Sequence, residues 1–390
     1  MAEAGPRHVL LVGGFDPHPP RHVHRAMRRT LRERPAGRPA LHLGPLQPVD
    51  AGRADWTLSG PVGHPAVRFS LLAWDDCVRP AWVAGPGRAL RDAAFVYPAL
   101  LRQGVLGRIR RLARPAHAMA LLPLALGLGG PLGGAALAAG FAALAGAGGA
   151  PLLAAAAAGG LGGGALALGL GRRLHADWLL RLYGHTRAQA LGRTPALEAR
   201  LEAWATTLVE AAEALAAATP AGAPRGELLL VGHSTGSLLA VSALARALRR
   251  APGLGTRGPA LAMLSLGHCT PILAELPEAS AFRAELATLR ACAALDWLDV
   301  SAPTDWAGFP RTGPWYGADG PMRRRQVSPQ FHKTMTPAGY ARLLKDRQAL
   351  HLQYLRSPEQ TGGYDPFELF AGPHALAERL HWPSPWQPPA

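Results

Sequence analysis

Glu227-Leu228-Leu229-Leu230-Val231-Gly232-His233-Ser234-Thr235-Gly236-Ser237 runs from a short apolar segment into a serine bracketed by two glycines. The apolar run has the length of a buried strand. The residues from Ser237 to Arg250 repeat their apolar positions at helical spacing. Gly232 to Gly236 therefore reads as G-x-S-x-G between a strand and a helix, the context that a nucleophile elbow requires. Such a turn is strained and crowded, which is why it uses glycine on either side. It would lift the Ser234 hydroxyl to the carboxyl edge of a sheet, above a helix N-terminus that favours developing negative charge. The bland alternative is a tight strand-to-helix turn with an inert serine.

Further strands are predicted at His8–Phe15 (HVLLVGGF), Val67–Trp74, Leu261–Leu266, Leu295–Val300 and, more weakly, Arg323–Val327. Helices are predicted at Arg21–Arg34, which is basic, and at Pro195–Ala218 and Ala281–Ala294. Strands alternating with helices imply an α/β class, with a mostly parallel sheet flanked by helices.

Between Pro115 and Gly171 lie 57 residues without one Asp, Glu, Lys or Arg. Arg108, Arg110, Arg111 and Arg114 precede this stretch, and Arg172 and Arg173 follow it. One membrane crossing needs about 20 apolar residues, so the stretch is too long for one span and suits two. Gly146 to Pro151 is the natural turn, leaving spans near Met119–Leu144 and Leu152–Leu170. A Gly/Ala-rich linker is the rival reading, but linkers seldom carry so many Leu residues and no charge. Residues 1–114 and 172–390 are then two parts of one α/β domain interrupted by the hairpin. Arginines on both flanks place both parts on the cytoplasmic side.

The 390-residue chain is 48% hydrophobic and 17% charged, which excludes a charge-dominated disordered protein. Of its 41 basic residues only Lys333 and Lys345 are lysines. With 46 Gly, 37 Pro and an Ala-rich background, the composition looks like that of a GC-rich bacterial genome, which would make much of the net charge of +15 codon bias. The charge suits anionic phospholipid, and no nucleic-acid motif accompanies it. Cys77, Cys269 and Cys292 are too widely spaced for a disulfide framework and read as buried fillers in a reducing compartment. The N-terminal apolar run is broken by Gly13 and Gly14 and is no secretory signal. His18, His22 and His24 do not share one helical face, so no metal is expected there. Asp75 and Asp76 read as caps of the sheet edge. No cofactor is expected, because no phosphate-binding loop or nicotinamide fingerprint has its full context.

The elbow and its surroundings resemble the α/β-hydrolase superfamily, particularly its lipases and esterases. The resemblance covers the first strand and about residues 201–364, and leaves out the hairpin. It implies a triad in the chain order Ser, acid, His. Ser234, Asp305 and His351 keep that order, Asp305 just beyond the strand ending at Val300 and His351 opening His351-Leu352-Gln353-Tyr354-Leu355. Asp299 is the rival acid, although it should lie within the strand, and Asp296 ranks behind it; His332 competes with His351. The resemblance also implies an oxyanion hole from the Thr235 backbone N–H and a second N–H from the loop after the first strand, Phe15 or Gly14. In the superfamily that loop usually follows the third strand; if His8–Phe15 is its equivalent, the first two strands are absent here. The implied protein is a membrane-anchored serine hydrolase at a bacterial inner membrane. It would cleave an ester or thioester near membrane lipid through an acyl-enzyme. An acyltransferase using the same serine, or a non-catalytic membrane scaffold, is the alternative.

Overall fold

The computed structural model describes residues 5–82, 85–384 and 386. The chain forms two compact units, one of Met1–Pro80 with Ala190–Ala390 and one of Ala81–Gln189. The second is wider than the charge-free stretch that marks the hairpin in the sequence, because flanking helices join it.

The first unit is built on a nine-stranded mixed sheet. Its strands are β1 (Arg7–Val12), β2 (His42–Leu43), β3 (Gln47–Asp50), β4 (Arg53–Ser59), β5 (Val67–Leu72), β6 (Glu227–His233), β7 (Ala260–Leu266), β8 (Leu295–Val300) and β9 (Arg323–Val327). They lie in the order β2-β4-β5-β1-β6-β7-β8-β9, with β3 also on β4. From β5 to β9 every pairing is parallel, and β2, β3 and β4 add an antiparallel edge. β1 and β6 are adjacent, with Val12 opposite Gly232. Leu228 to Val231 are wholly buried, as expected of a strand covered on both faces, and each such side chain contributes roughly 1.5–3 kcal/mol.

The antiparallel edge was not foreseen. β2 is two residues long, and β3 contains Pro48 and is exposed throughout, so neither carries an apolar alternation. β4 is held through its partners: Trp56 stacks on Phe69 of β5 at 4.9 Å, and Asp55 takes ion pairs from Arg53 and Arg68 at 2.7 Å each. Other boundaries differ from expectation by a few residues. β1 stops at Val12, β5 stops at Leu72, and the helix expected at Ala281–Ala294 spans Ser280–Arg290. Asp75 and Asp76 open a helical turn, Asp75–Val78, rather than capping the edge, and pair separately with Arg79 and Arg200.

In the second unit, helices Arg114–Leu144 and Gly149–Arg173 are long and apolar enough to cross a membrane, each with an 18-residue stretch of mean hydropathy 1.6. They start and end within a few residues of the expected spans. Their seam is glycine. A Cβ on Gly134 would lie 2.1 Å from the Gly159 carbonyl oxygen, and one on Gly163 equally close to that of Gly130. Gly130 and Gly134 thus face Gly159 and Gly163 with the backbones in contact, the geometry that small residues four apart permit. Leu128, Leu132, Leu137, Phe141, Leu153, Leu161 and Leu166 point outward and are exposed.

Candidate active site

At the carboxyl end of the sheet, the ends of β6, β7, β8 and β9 are stitched together in sequence. The Ser234 N–H donates to Leu266 O at 2.9 Å, Gly267 N–H to Val300 O at 2.8 Å, and Ser301 N–H to Val327 O at 3.0 Å. Residues just beyond β6, β7 and β8 are thereby brought side by side. Ser234 follows β6 with φ +57°, a left-handed conformation that costs a non-glycine residue of order 1–3 kcal/mol unless its surroundings enforce it.

Both motif glycines are sterically required. A Cβ on Gly232 would meet Ser237 Cα at 2.5 Å, and one on Gly236 would meet Val12 O at 2.2 Å and Gly13 O at 2.5 Å. Ser237 secures the turn, its Oγ donating to Ser234 O at 2.6 Å. The helix that begins at Gly236 runs to Arg250, so Ser234 and Thr235 sit at its positive end.

Gly14 comes from the loop after β1. A Cβ there would lie 3.1 Å from Ser234 Cβ and 3.4 Å from its Oγ, so this backbone rests against the serine. The loop is fixed by Trp74, which donates Nε1–H to Gly13 O at 3.0 Å and packs its ring on Phe15 at 6.0 Å. Gly14 and Thr235 both border Ser234, and Phe15 is the next residue along the loop.

Asp305 lies in the loop beyond β8, 2% exposed. Its Oδ2 accepts from His351 Nδ1 at 2.8 Å and from the Tyr354 hydroxyl at 3.1 Å, and its Oδ1 accepts from the Ala307 N–H at 3.0 Å. Burial alone would raise the Asp305 carboxyl, but the facing His351 imidazole and these donated hydrogen bonds outweigh it and hold the acid below its ordinary value. A carboxylate only accepts, so Nδ1 carries a proton toward Asp305, and in the neutral imidazole the lone pair then lies on Nε2. Nε2 is buried and has no hydrogen-bond partner among the described residues.

His233, the residue before the serine, donates Nε2–H to His351 O at 2.9 Å, and the two rings lie 5.1 Å apart. Burial, with the neighbouring His351, lowers His233 to about 3, so it stays neutral and acts as a strut. Ser234 Oγ has Cys269 Sγ as its hydrogen-bond partner, at 3.7 Å. Burial pushes the Cys269 thiol up to about 12, so no thiolate competes with the serine.

The structure therefore gathers Ser234, Thr235, Gly14, Asp305 and His351 around one end of the sheet and separates the rivals from them. Asp299 points elsewhere within β8, accepting from Ser265 and Ser301 hydroxyls at 2.6 and 2.9 Å and from Gln326 Nε2 at 2.9 Å. Asp296 is paired with Arg323 at 2.5 Å. His332 lies in the short helix Phe331–Thr334, its ring 6.1 Å from that of Tyr340. His24 turns to Gly44 O at 2.9 Å while His18 and His22 stack at 4.4 Å, so the three histidines do not converge. Among the described residues, no three His, Cys, Asp or Glu side chains form a metal-binding group.

Three residues at this site were given no such role in the sequence. Tyr354 accepts from the Ala302 N–H at 2.7 Å while donating to Asp305, tying the acid loop to the histidine segment. Cys269 was read as filler. Gly267, at φ +55°, leaves room for the Tyr354 ring and Asp305 Oδ2, which a Cβ would approach to 2.6 and 3.1 Å. A glycine directly after the strand Ala260–Leu266 is the one local signal for it; nothing local in the sequence marks the other two. No family model, no curated protein and no solved structure matches the chain.

Proposed function

We propose that the protein is a membrane-tethered serine hydrolase of the α/β-hydrolase type, which cleaves an ester or thioester at a bilayer surface. The observation that carries this reading is the pairing of His351 Nδ1 with a buried, ionised Asp305 close to a serine held at φ +57°. A serine is a poor nucleophile until a base takes its proton, and an imidazole serves only with its free nitrogen unprotonated. The order β5-β1-β6-β7, with Ser234 ending β6 and the Gly14 loop ending β1, supports the same reading.

In this mechanism the Ser234 hydroxyl leaves Cys269 and passes its proton to His351 Nε2 as Oγ bonds to the substrate carbonyl carbon. Asp305 holds the imidazole in the Nδ1–H tautomer and stabilises the imidazolium. The carbonyl oxygen, now negative, takes hydrogen bonds from the N–H of Thr235 and that of Gly14 or Phe15. Collapse expels the alcohol or thiol, which receives the proton from His351 and leaves an acyl-Ser234. Water attacks that ester, giving its proton to His351, and the acid departs as Ser234 regains its proton. The two apolar helices tether the chain to a bacterial inner membrane with the sheet-bearing unit on the cytoplasmic side, as the flanking arginines favour. No cofactor takes part in these steps.

One observation favours a second reading, a non-catalytic scaffold: the Ser234 hydroxyl is bound to Cys269 rather than to His351 Nε2. Resting hydrolases often hold the serine loosely and tighten it with substrate, which is why the catalytic reading is preferred. Fluorophosphonate labelling of the detergent-solubilised chain separates the two. Labelling that disappears in Ser234→Ala is expected; absence of labelling in the folded wild type overturns the hydrolase reading.

A further inference from the structure

The helix Pro20–Arg32, PRHVHRAMRRTLR, contains five arginines and no acid. Arg21, Arg25, Arg28, Arg29 and Arg32 recur at helical spacing, so they share one face, and all five are exposed. The opposite face is anchored: Met27 belongs to the core, and His24 binds Gly44 O and meets Trp56 edge-on at 5.2 Å. The cationic face is thus held outward on a rigid element.

Several arginines elsewhere in this unit are set against carboxylates, as Arg34 on Asp365, Arg53 and Arg68 on Asp55, and Arg246 on Glu198, Glu202 and Glu285. Among the described residues none of the five on this stripe has an ion-pair partner. Arg356 from the C-terminal region adds its charge next to Arg29, with Glu33 and Asp346 the acids nearby. Like charges three and four residues apart on a helix repel, and an external anion relieves that repulsion.

We infer that this stripe docks on the anionic phospholipid headgroups of the membrane in which the two apolar helices are seated. The inference rests on the tether, not on the hydrolase chemistry. A tethered unit meets the bilayer surface at high effective concentration, and arginine flanks favour the leaflet facing an anionic surface. The helix follows directly on the loop that carries Gly14, so docking holds the mouth of the candidate site near the headgroups and their acyl esters.

The test places the full chain in nanodiscs of phosphatidylcholine, alone or mixed with phosphatidylglycerol, and follows phenylglyoxal modification of individual arginines by peptide mass spectrometry. Modification of the five stripe arginines is expected to slow roughly ten-fold in the anionic discs and to recover in high salt. Arg249 and Arg257, exposed elsewhere, should keep one rate throughout. Equal rates in both discs, with residues 114–173 still protected from protease, overturn the docking alone. Cleavage within 114–173 overturns the tether and the docking with it. Protection that appears only when an oligonucleotide is added to neutral discs overturns the lipid assignment in favour of nucleic acid.

Discussion

Gly236→Ala adds one methyl group at the point where the serine turn meets β1. Its carbon would lie 2.2 Å from Val12 O and 2.5 Å from Gly13 O, both backbone atoms that no side-chain rotation can clear. Ordinary contact begins near 3.4 Å, so the end of β1 must retreat by about 1 Å. Overpacking of this kind costs about 1–3 kcal/mol, against a helix-propensity gain from Gly to Ala of at most about 1 kcal/mol. The same retreat carries Gly14 away from Ser234, where it now stands in contact. A misplacement of about 1 Å in a preorganised site costs on the order of a hundred-fold in rate. The variant should therefore unfold earlier in denaturant and react with a fluorophosphonate about a hundred-fold more slowly. Gly13→Ala is the control for stability, since a Cβ there has nothing within 4 Å. A Gly236→Ala protein with wild-type stability and labelling within two-fold of wild type would refute the steric argument.

Asp305→Asn should slow labelling by roughly 10²–10⁴-fold, because the amide no longer fixes the imidazole tautomer. Asp299→Asn should leave the labelling rate near wild type and lower the denaturation midpoint, since Asp299 serves Ser265, Ser301 and Gln326. Stability should fall as pH drops below 6.5, because His8 and His233 are buried neutral, lowered from 6.5 to about 4 and about 3 by burial, and the unfolded chain takes up protons first. Asp305, held below 3.8, contributes stability that is full above that value and is lost as pH falls further through the folded value. Urea melts between pH 7 and 4 test the histidine part, and a midpoint unchanged from pH 7 to 5 counts against it. Gly134→Leu should separate the two apolar helices and lower the melting temperature in detergent, whereas Gly140→Leu, in open space, should not; equal effects would remove the glycine seam as the cause.

Much of the fold was legible because it is local. β8, β9 and the helix Pro195–Ala218 fall on the residues that periodicity assigned, and the charge-free stretch marks the two apolar helices by composition alone. The antiparallel edge was not legible, since β2 is too short and β3 too polar to carry a pattern. Within the site, Ser234 announces itself through Gly232 and Gly236, whereas Tyr354 and Cys269 stand in segments with no motif at all.

What the sequence by itself determined is the alternation of strands and helices, the serine turn and the glycine content of the apolar hairpin, because strands, turns and spans are specified by near neighbours along the chain. Only the tertiary structure sets His351 against Asp305 and gives Asp299 and His332 other neighbours. This arrangement depends on which way loops beyond β8 and near Tyr354 face once β6, β7 and β8 are side by side. The contact between Asp305 and His351 joins residues 46 apart in sequence, a distance over which no local periodicity carries information.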